Sequence, residues 1–409
     1  MTPRLPAWTL LALLAAGPAL HAVDRSRSGP GGKDDFLTGT WNGERPALSA
    51  RGLDFGFTYT TAVFANVAGG RERGAVLEGT GDFAADCDLA KLVGWTDARI
   101  HVSSILAHGP SISAKYVGDT NIISDFDLPD SLYLHEVWFE QSWLGQKLSL
   151  RLGKLSADLE FPINSYADAI PLPLYPTGAL GARLHFAPTA ALFFDAAIYD
   201  GNPNEPGRTA NRHGLHVHLA RSEGATLFAS VGLSLGAAKD ATFPAGTWKL
   251  GAYHSTRDYP DVLTGAPLRG DHALFLNGDQ TLWRENPAKK DDDQGLALYV
   301  VAEVVPPDRN TYHYGFGGGP YYTGLFPGRD HDVLYVNFLY TRFSDRFARA
   351  SVAAGGPHPV FENALQAYYQ IAVKKFWAVQ PQVDYVVHTG GTGQIPNATV
   401  LSLRTTVTF

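Results

Sequence analysis

The chain has 409 residues, with 33 basic and 40 acidic side chains, a formal net charge of −7 and one cysteine, Cys87. A single cysteine excludes a disulfide scaffold and a cysteine-based zinc or iron–sulfur site. The negative charge argues against a nucleic-acid partner, because binding a polyanion requires a basic surface. Charged residues are only 18% of the chain, whereas glycines number 43 and aromatic residues make up 12%. This composition favours a sheet protein with many turns, part of whose surface does not face water.

The N-terminal residues 1–22 have the pattern of a secretory signal peptide. Arg4 supplies a positive charge, an apolar stretch follows from Trp8 to Ala16, and small residues lead to a predicted cleavage point after Ala22. The apolar stretch is short for a membrane-spanning helix, which needs about 20 residues. We therefore expect an exported chain.

Residues 23–52 are expected to form a polar, flexible segment followed by a short helix. The helix is predicted from about Gly43 to Arg51, with Asn42 as its N-cap and Gly52 at its C′ position.

From residue 53 to residue 409 the hydrophobic pattern has a period of two, which is typical of β-strands with one apolar face. In residues 75–89, Leu77 and Phe83 lie on one face, whereas Glu78 and Asp82 lie on the other. Similar alternation occurs in residues 53–65, 147–154, 180–186, 214–220 and 398–409. About sixteen such runs follow one another, separated by turn residues.

Two architectures fit this pattern, a soluble β-sandwich and a transmembrane antiparallel β-barrel. The mixed charges on the polar faces suit a water-filled interior, and aromatic residues gather near strand ends as they do at membrane interfaces. Phe409 ends the last run, as expected of an outer-membrane barrel that is presented to the barrel assembly machinery. We predict an all-β protein, a barrel of about 16 strands with a short periplasmic helix, whose apolar face contacts outer-membrane lipid.

Two long connections interrupt the strands. The connection from Leu155 to Ala179 either folds into the lumen as a constricting loop or lies on the surface. The segment from Tyr259 to Gln294 is predicted to be a second long loop. Its acidic run at residues 291–293 lacks the spacing of a calcium-binding loop.

The chain resembles the carbohydrate-selective porins of the OprB type over about Leu37 to Phe409. The stretches that carry the resemblance include LTGTWNGERPALSARGLDF (37–55), RGAVLEGTGDF (73–83), HGPSISAKYVGD (108–119), LYLHEVWFEQS (132–142), KLSLRLGKLSADLEF (147–161), DQTLWRE (279–285) and QPQVDYVVHTGG (380–391). The resemblance implies a sixteen-stranded outer-membrane barrel of a Gram-negative bacterium that passes monosaccharides and other small solutes by diffusion. One departure is Thr389, where proline is expected.

A sugar pore needs polar groups that replace the hydration of a neutral polyol, and aromatic rings that cover its C–H face. The alternation places such groups on the predicted lumen side. The candidate pore-lining residues are Glu78, Asp82, Glu136, Trp138, Glu140, Arg151, Arg183 and His185.

An alternative is a periplasmic or outer-membrane β-protein with a hydrolytic or structural role. Residues 232–236 match G-x-S-x-G around Ser234, but the helix that this motif requires does not follow. Asp86 and Asp88 have a spacing within the range of an inverting glycosidase. His213, His216 and His218 lack a local carboxylate partner for a metal. We therefore expect no catalytic site, no metal and no cofactor.

Overall fold

A computed structural model describes residues 32, 34–121, 123–124, 126–161, 178–203, 211–217, 219–236, 244–287 and 293–409. The predicted signal peptide lies outside these residues and stays a prediction. Within the described residues, no helix is long and apolar enough to span a membrane.

Sixteen antiparallel strands form one closed barrel in which each strand pairs with its neighbours in sequence and β1 pairs with β16. The predicted fold class is thus confirmed. The strands are Leu53–Ala68 (β1), Gly74–Asp88 (β2), Ala98–His108 (β3), Ser131–Trp143 (β4), Leu148–Leu155 (β5), Ala179–Phe186 (β6), Leu192–Asp200 (β7), Ala225–Leu235 (β8), Gly246–Pro260 (β9), Pro267–Arg284 (β10), Gly295–Val304 (β11), Tyr312–Thr323 (β12), Val333–Phe343 (β13), Phe361–Lys374 (β14), Trp377–Val387 (β15) and Ala398–Thr408 (β16).

The helices are short and lie outside the sheet. They are Glu44–Ala50 (α1), Leu89–Val93 (α2), Ala157–Glu160 (α3) and Asp345–Ala353 (α4). Helix α1 matches the predicted helix to within one residue at each end. Its N-cap, however, is Gly43 in a left-handed conformation, not Asn42, because Asn42 itself has a positive φ and belongs to a preceding 3-10 turn.

Alternate side chains of each strand face the outside and the lumen, as the period-two pattern predicts. In β2, Leu77 is 54% exposed on the outer wall, whereas Glu78 is fully buried on the lumen side. In β16, Leu403 faces outward and Arg404 is buried. The same division holds along β5 and β6, so the register inferred from the sequence is correct on these strands.

The two rims of the barrel differ. One rim carries α1 and Phe409 and is closed by turns such as residues 144–147, 187–191 and 375–376. The opposite rim carries the longer connections 109–130, 156–178, 201–224 and 344–360. Because outer-membrane barrels have short periplasmic turns and longer extracellular loops, the first is the periplasmic rim and the second the extracellular rim.

Two strand predictions are wrong. Residues 267–284, which we expected within a long loop, form β10, and only residues 261–266 connect it to β9. Conversely, the described residues 214–217 and 219–220 of the predicted strand 214–220 are irregular, and Leu215 and Val217 are exposed. Alternation of apolar and polar residues does not by itself make a strand where no neighbouring strand accepts its hydrogen bonds.

We call the connection between β3 and β4 the plug loop, and its described residues 109–121, 123–124 and 126–130 partly fill the lumen. Its apolar residues Ile112, Val117, Ile123 and Phe126 are buried against lumen-facing side chains of β1 and β2, among them Phe64. The ring of Phe126 also lies against the guanidinium group of Arg404, at 4.4 Å. The inward-facing apolar residues of β1 are therefore contact sites for this loop.

Candidate functional site

A belt of charged side chains lines the lumen between β3 and β9. We call it the girdle, and it consists of Arg99, Glu140, Arg151, Glu160, Arg183, Asp195 and Lys249. Each belongs to an inward-facing strand position except Glu160, which lies on α3. The strand register brings successive members together, since Glu140 is paired with Arg151 and Arg151 with Arg183 on adjacent strands.

Glu140 accepts hydrogen bonds from two arginines and forms an ion pair with a third. Arg99 Nε donates to Oε1 at 2.8 Å, and Arg151 Nε donates to Oε2 at 3.0 Å. Arg183 Nη1 lies 3.6 Å from the same Oε2. The arginines approach from both neighbouring sides of β4, so one carboxylate fixes the direction of three cationic side chains.

Helix α3 carries the next acidic group into the lumen. Glu160 forms ion pairs with Arg151 and with Arg183, whose Nε lies 2.8 Å from Oε2. Phe161 follows the helix and stacks on Phe228, with ring centroids 4.7 Å apart. Of the two alternatives left open for the connection 155–179, its described beginning therefore folds into the lumen, and residues 162–177 lie outside the described part.

Asp195 on β7 closes the belt. His185 Nδ1 lies 2.7 Å from Oδ1, Lys249 Nζ lies 3.3 Å from Oδ2, and Arg183 Nε lies 3.8 Å from Oδ1. Lys249 also donates a hydrogen bond of 3.0 Å to the backbone oxygen of Glu160. The predicted residues Arg183 and His185 thus meet in the structure, joined by an aspartate.

Trp138 is buried in the lumen wall and is only 6% exposed. The guanidinium carbon of Arg151 lies 3.9 Å from its ring centroid, and the His101 ring stacks against it at 4.8 Å. Opposite it, Gly153 has a φ of 143°, and a Cβ there would come within 2.2 Å of the Val137 oxygen. Trp138 therefore orients its charged neighbours and offers no open ring face to a solute in this conformation.

Glu136 and Glu78 hold loops in place. Glu136 Oε1 accepts a hydrogen bond of 2.8 Å from the backbone N–H of Ser156, where the loop that carries α3 begins. Glu78 accepts a hydrogen bond of 2.7 Å from the N–H of Ile112 and another from the Ser124 hydroxyl, both in the plug loop. These predicted lining residues thus contact protein loops.

Asp82 lies on β2, outside the girdle as defined above. It is half-buried, and the register pairs it with Thr58 and Ile105. Its assignment as a pore-lining residue remains a prediction.

The plug loop is also held by Glu362 on β14. The backbone N–H groups of Thr120 and Asn121 donate to its carboxylate at 2.9 Å and 2.5 Å. Asp119 lies next to this carboxylate and accepts a hydrogen bond of 3.1 Å from the N–H of Ile123. Burial and the neighbouring charge of Glu362 raise the pKa of Asp119 well above its usual range.

Sequence reasoning missed Arg99, Asp195, Lys249 and Glu160. The first three lie at inward positions of alternating strands, so a complete account of every strand would have included them. Glu160 follows no periodic signal, because α3 is a single turn inside a long connection.

The residues of the catalytic alternatives lie in two strands and at a helix N-cap. Asp86 is bound to His101 Nδ1 at 2.8 Å, whereas Asp88 caps α2 by accepting the N–H of Ala90 at 3.0 Å. Ser234 lies within β8 and is followed by a turn at Gly236. In the described part of the chain, no group of three or more His, Cys, Asp or Glu side chains is arranged to hold a metal ion.

Comparison with known proteins decides the family. Residues 72–409 match the family model described as carbohydrate-selective porin, OprB family. The chain belongs to the OprB family. It is an outer-membrane sugar porin, in agreement with the closed barrel and its charged lumen.

Relatives of this OprB-family chain match along nearly their full length. It is 22% identical to Porin B of Pseudomonas aeruginosa, covering 98% of this chain and 96% of that protein. It is also 22% identical to the putative porin QuiX of Acinetobacter baylyi, covering 91% and 93%. The high-pH structure of Pseudomonas putida OprB superposes with a TM-score of 0.83 at 20% identity, covering 93% of this chain and 99% of that one. This last likeness concerns the fold.

Proposed function

We propose that the girdle is the constriction through which glucose-like monosaccharides and other small neutral solutes diffuse. The observation that carries the proposal is the continuous chain of ion pairs from Arg99 through Glu140, Arg151, Glu160 and Arg183 to Asp195. It brings dense donors and acceptors together at one level of the lumen, where the wall and α3 meet.

The chemistry of a polyol fits such a chain. A sugar hydroxyl both donates and accepts, so it can accept from a guanidinium N–H while it donates to a carboxylate oxygen. The hydroxyl then replaces part of an existing ion pair. The interaction energy that it gains with the girdle is therefore close to the energy lost from that ion pair. Weak net binding follows, which a conducting pore requires because the solute must also leave.

The near balance of charge within the girdle favours neutral solutes. Arg99, Arg151, Arg183 and Lys249 face Glu140, Glu160 and Asp195, with His185 beside Asp195. Since most of the fixed charges are paired within about 4 Å, their field at the pore axis is smaller than that of an unpaired ring. A neutral solute is not affected by this weaker field. An ion is attracted less strongly than it would be by unpaired charges.

The remaining parts of the proposal concern partners and chemistry. We further propose export through the signal peptide, insertion by the barrel assembly machinery and contact of the outer wall with membrane lipid, which the family and the exposed apolar rows support. We assign no catalytic step, since Ser234 lies within a strand, Asp86 is bound to His101 and Asp88 caps α2.

Liposome swelling tests the proposal. Liposomes that contain the purified protein should admit glucose faster than empty liposomes. Arg183→Ala should change the rate of glucose entry. The matched control Arg349→Ala in α4, on the exposed surface of the extracellular rim, should not change it. Equal rates for wild type and Arg183→Ala, in barrels that both show heat-modifiable gel migration, would refute the assignment of the constriction.

A further inference from the structure

The outer wall at the periplasmic rim carries a groove of about 560 Å³ beside α1, which we call the rim groove. Its apolar lining comes from lipid-facing positions of β1, β2 and β3 and includes Phe55, Phe57, Phe83 and Val102. Phe57 stacks on Phe83 with centroids 4.2 Å apart. The groove is therefore built into the membrane-facing surface and is separate from the lumen.

The rim groove lies at the level of the membrane–water interface. Exposed tryptophans Trp95, Trp143, Trp283 and Trp377 all lie at strand ends or turns of this same rim. Tryptophan gathers at the boundary between the hydrocarbon and the head groups. Trp41, which borders the groove, belongs to the same level.

The charged group of the rim groove is Arg45 on α1, which is only 3% exposed. Its guanidinium carbon lies 3.6 Å from the ring centroid of Phe36 and 4.3 Å from that of Trp41. Nη2 donates a hydrogen bond of 2.8 Å to the Phe409 oxygen, whereas Nε and Nη1 have no hydrogen-bond partner among the residues that the structure describes. Two donors of a buried cation are thus unsatisfied, which is costly without an anionic acceptor.

We propose that the rim groove is a binding site for a phospholipid of the periplasmic leaflet, whose phosphate accepts from Arg45 and whose acyl chain lies across the phenylalanine-lined wall. A ligand with an anionic head group joined to a hydrocarbon chain satisfies both halves of the site. The membrane supplies this ligand at this depth. A small readjustment of the Trp41 side chain, which is partly exposed at the edge, admits the phosphate oxygens to Nη1.

The chemistry of guanidinium favours this assignment over a merely apolar contact. A guanidinium group forms charge-assisted hydrogen bonds with phosphate oxygens, and Nη1 is the terminal nitrogen of Arg45 that remains for such a bond. The rings of Phe36 and Trp41 hold the plane of the guanidinium group between them and the barrel. The lipid would also fasten α1 to the barrel, because Arg45 is bonded to Phe409 next to the β1–β16 seam.

Native mass spectrometry of the detergent-purified porin tests the site, with dioleoylphosphatidylglycerol as the probe. The wild type should retain lipid adducts that Arg45→Gln reduces at least about tenfold, the factor expected when a charge-assisted pair worth about 1.5–3 kcal/mol is lost. Arg51→Gln, an exposed arginine just beyond α1, is the matched control and should bind lipid like the wild type. Equal adducts in Arg45→Gln and wild type, or equal losses in both variants, would overturn the proposal.

A second variant tests the acyl-chain part of the rim groove without changing α1. Val102→Trp fills the rim groove from β3 and leaves residue 45 an arginine, and it should also lower lipid retention while single-channel conductance stays that of the wild type. Inorganic phosphate in excess should not displace the lipid. If phosphate displaces it fully, or if Val102→Trp binds lipid as the wild type does, the acyl-chain half of the proposal is wrong.

Discussion

Arg183 on β6 and Glu160 on α3 join the barrel wall to the loop that folds into its lumen, with 2.8 Å between Nε and Oε2. The same guanidinium group also lies within 4 Å of Glu140 and Asp195 on two other strands. The position of α3 is thus coupled to the charges that line the passage. A change that releases α3 should change conduction even if it leaves the strands intact.

Removing the ring of Phe161 should release α3. The side chain is fully buried and packs on Phe228 and Phe275, so Phe161→Ala should weaken loop docking by about 3–5 kcal/mol. Single-channel recording in KCl should show a larger or noisier conductance. Phe326→Ala, on an exposed turn, is the control and should conduct like the wild type. An unchanged current in Phe161→Ala would show that α3 does not limit the passage.

Neutralising Glu140 should change ion preference. Glu140→Gln leaves Arg99, Arg151 and Arg183 with one fewer carboxylate, so the net charge of the girdle becomes more positive and the reversal potential in a KCl gradient should shift toward anion selectivity. The shift should be larger at about 0.1 M than at about 1 M salt, where the screening length falls from about 10 Å to about 3 Å. Glu285→Gln, at an exposed position of the periplasmic rim, should not shift it. A cation-selective shift would contradict the placement of Glu140 in the passage.

Trp138 should contribute to stability through its neighbours. Trp138→Leu removes the stack with Arg151 and His101, and a cation–π contact of this kind contributes about 0.5–2 kcal/mol in addition to the packing that is lost. The unfolding temperature, followed by the disappearance of heat-modifiable migration, should fall below that of Trp143→Leu, which changes an exposed ring at the periplasmic rim. Equal temperatures would show that Trp138 is dispensable for the girdle.

Docking of the plug loop should weaken as pH rises. The pKa of Asp119 is raised above its usual 3.8 by burial and by Glu362, so the docked loop favours the protonated form. The contribution of Asp119 to the free energy of docking is most favourable below about pH 3.8. It declines as the pH increases toward the raised pKa, because Asp119 ionises freely only in the released loop. Hydrogen exchange of residues 111–121, after correction for the intrinsic exchange rates, should therefore be faster at about pH 8 than at about pH 5.

Asp119→Asn separates this effect from general pH effects. An asparagine keeps an oxygen acceptor for the N–H of Ile123 but does not ionise, so the pH dependence of exchange should flatten. If the variant keeps the full dependence, another group controls the loop.

The strand architecture could be predicted from the sequence because alternate side chains of every strand in a membrane barrel face the lipid and the lumen. Leu77 faces lipid and Glu78 faces inward for the same reason that Leu403 and Arg404 do. The rule fails where tertiary contacts decide. Residues 214–217 alternate but have no strand neighbour, and β10 was hidden because Gly270 and Gly278 resemble turn residues within it.

The site was accessible in part for the same reason. Arg151, Arg183 and Glu140 are on strands, and alternation places them inward. Glu160 lies on a loop, so only its ion pairs reveal its role. Glu78 and Glu136 face inward as predicted, yet loops from elsewhere in the chain occupy their carboxylates, and no local pattern contains that information.

A single introduced thiol tests most directly whether glucose passes through the girdle. In a Cys87→Ser background, Arg183→Cys should react with a bulky water-soluble thiol reagent, excess glucose should slow the reaction, and glucose flux into liposomes should stop after labelling. Val352→Cys, on the exposed surface of α4, should label equally well without loss of flux. Full glucose flux through a barrel completely labelled at position 183 would contradict the account.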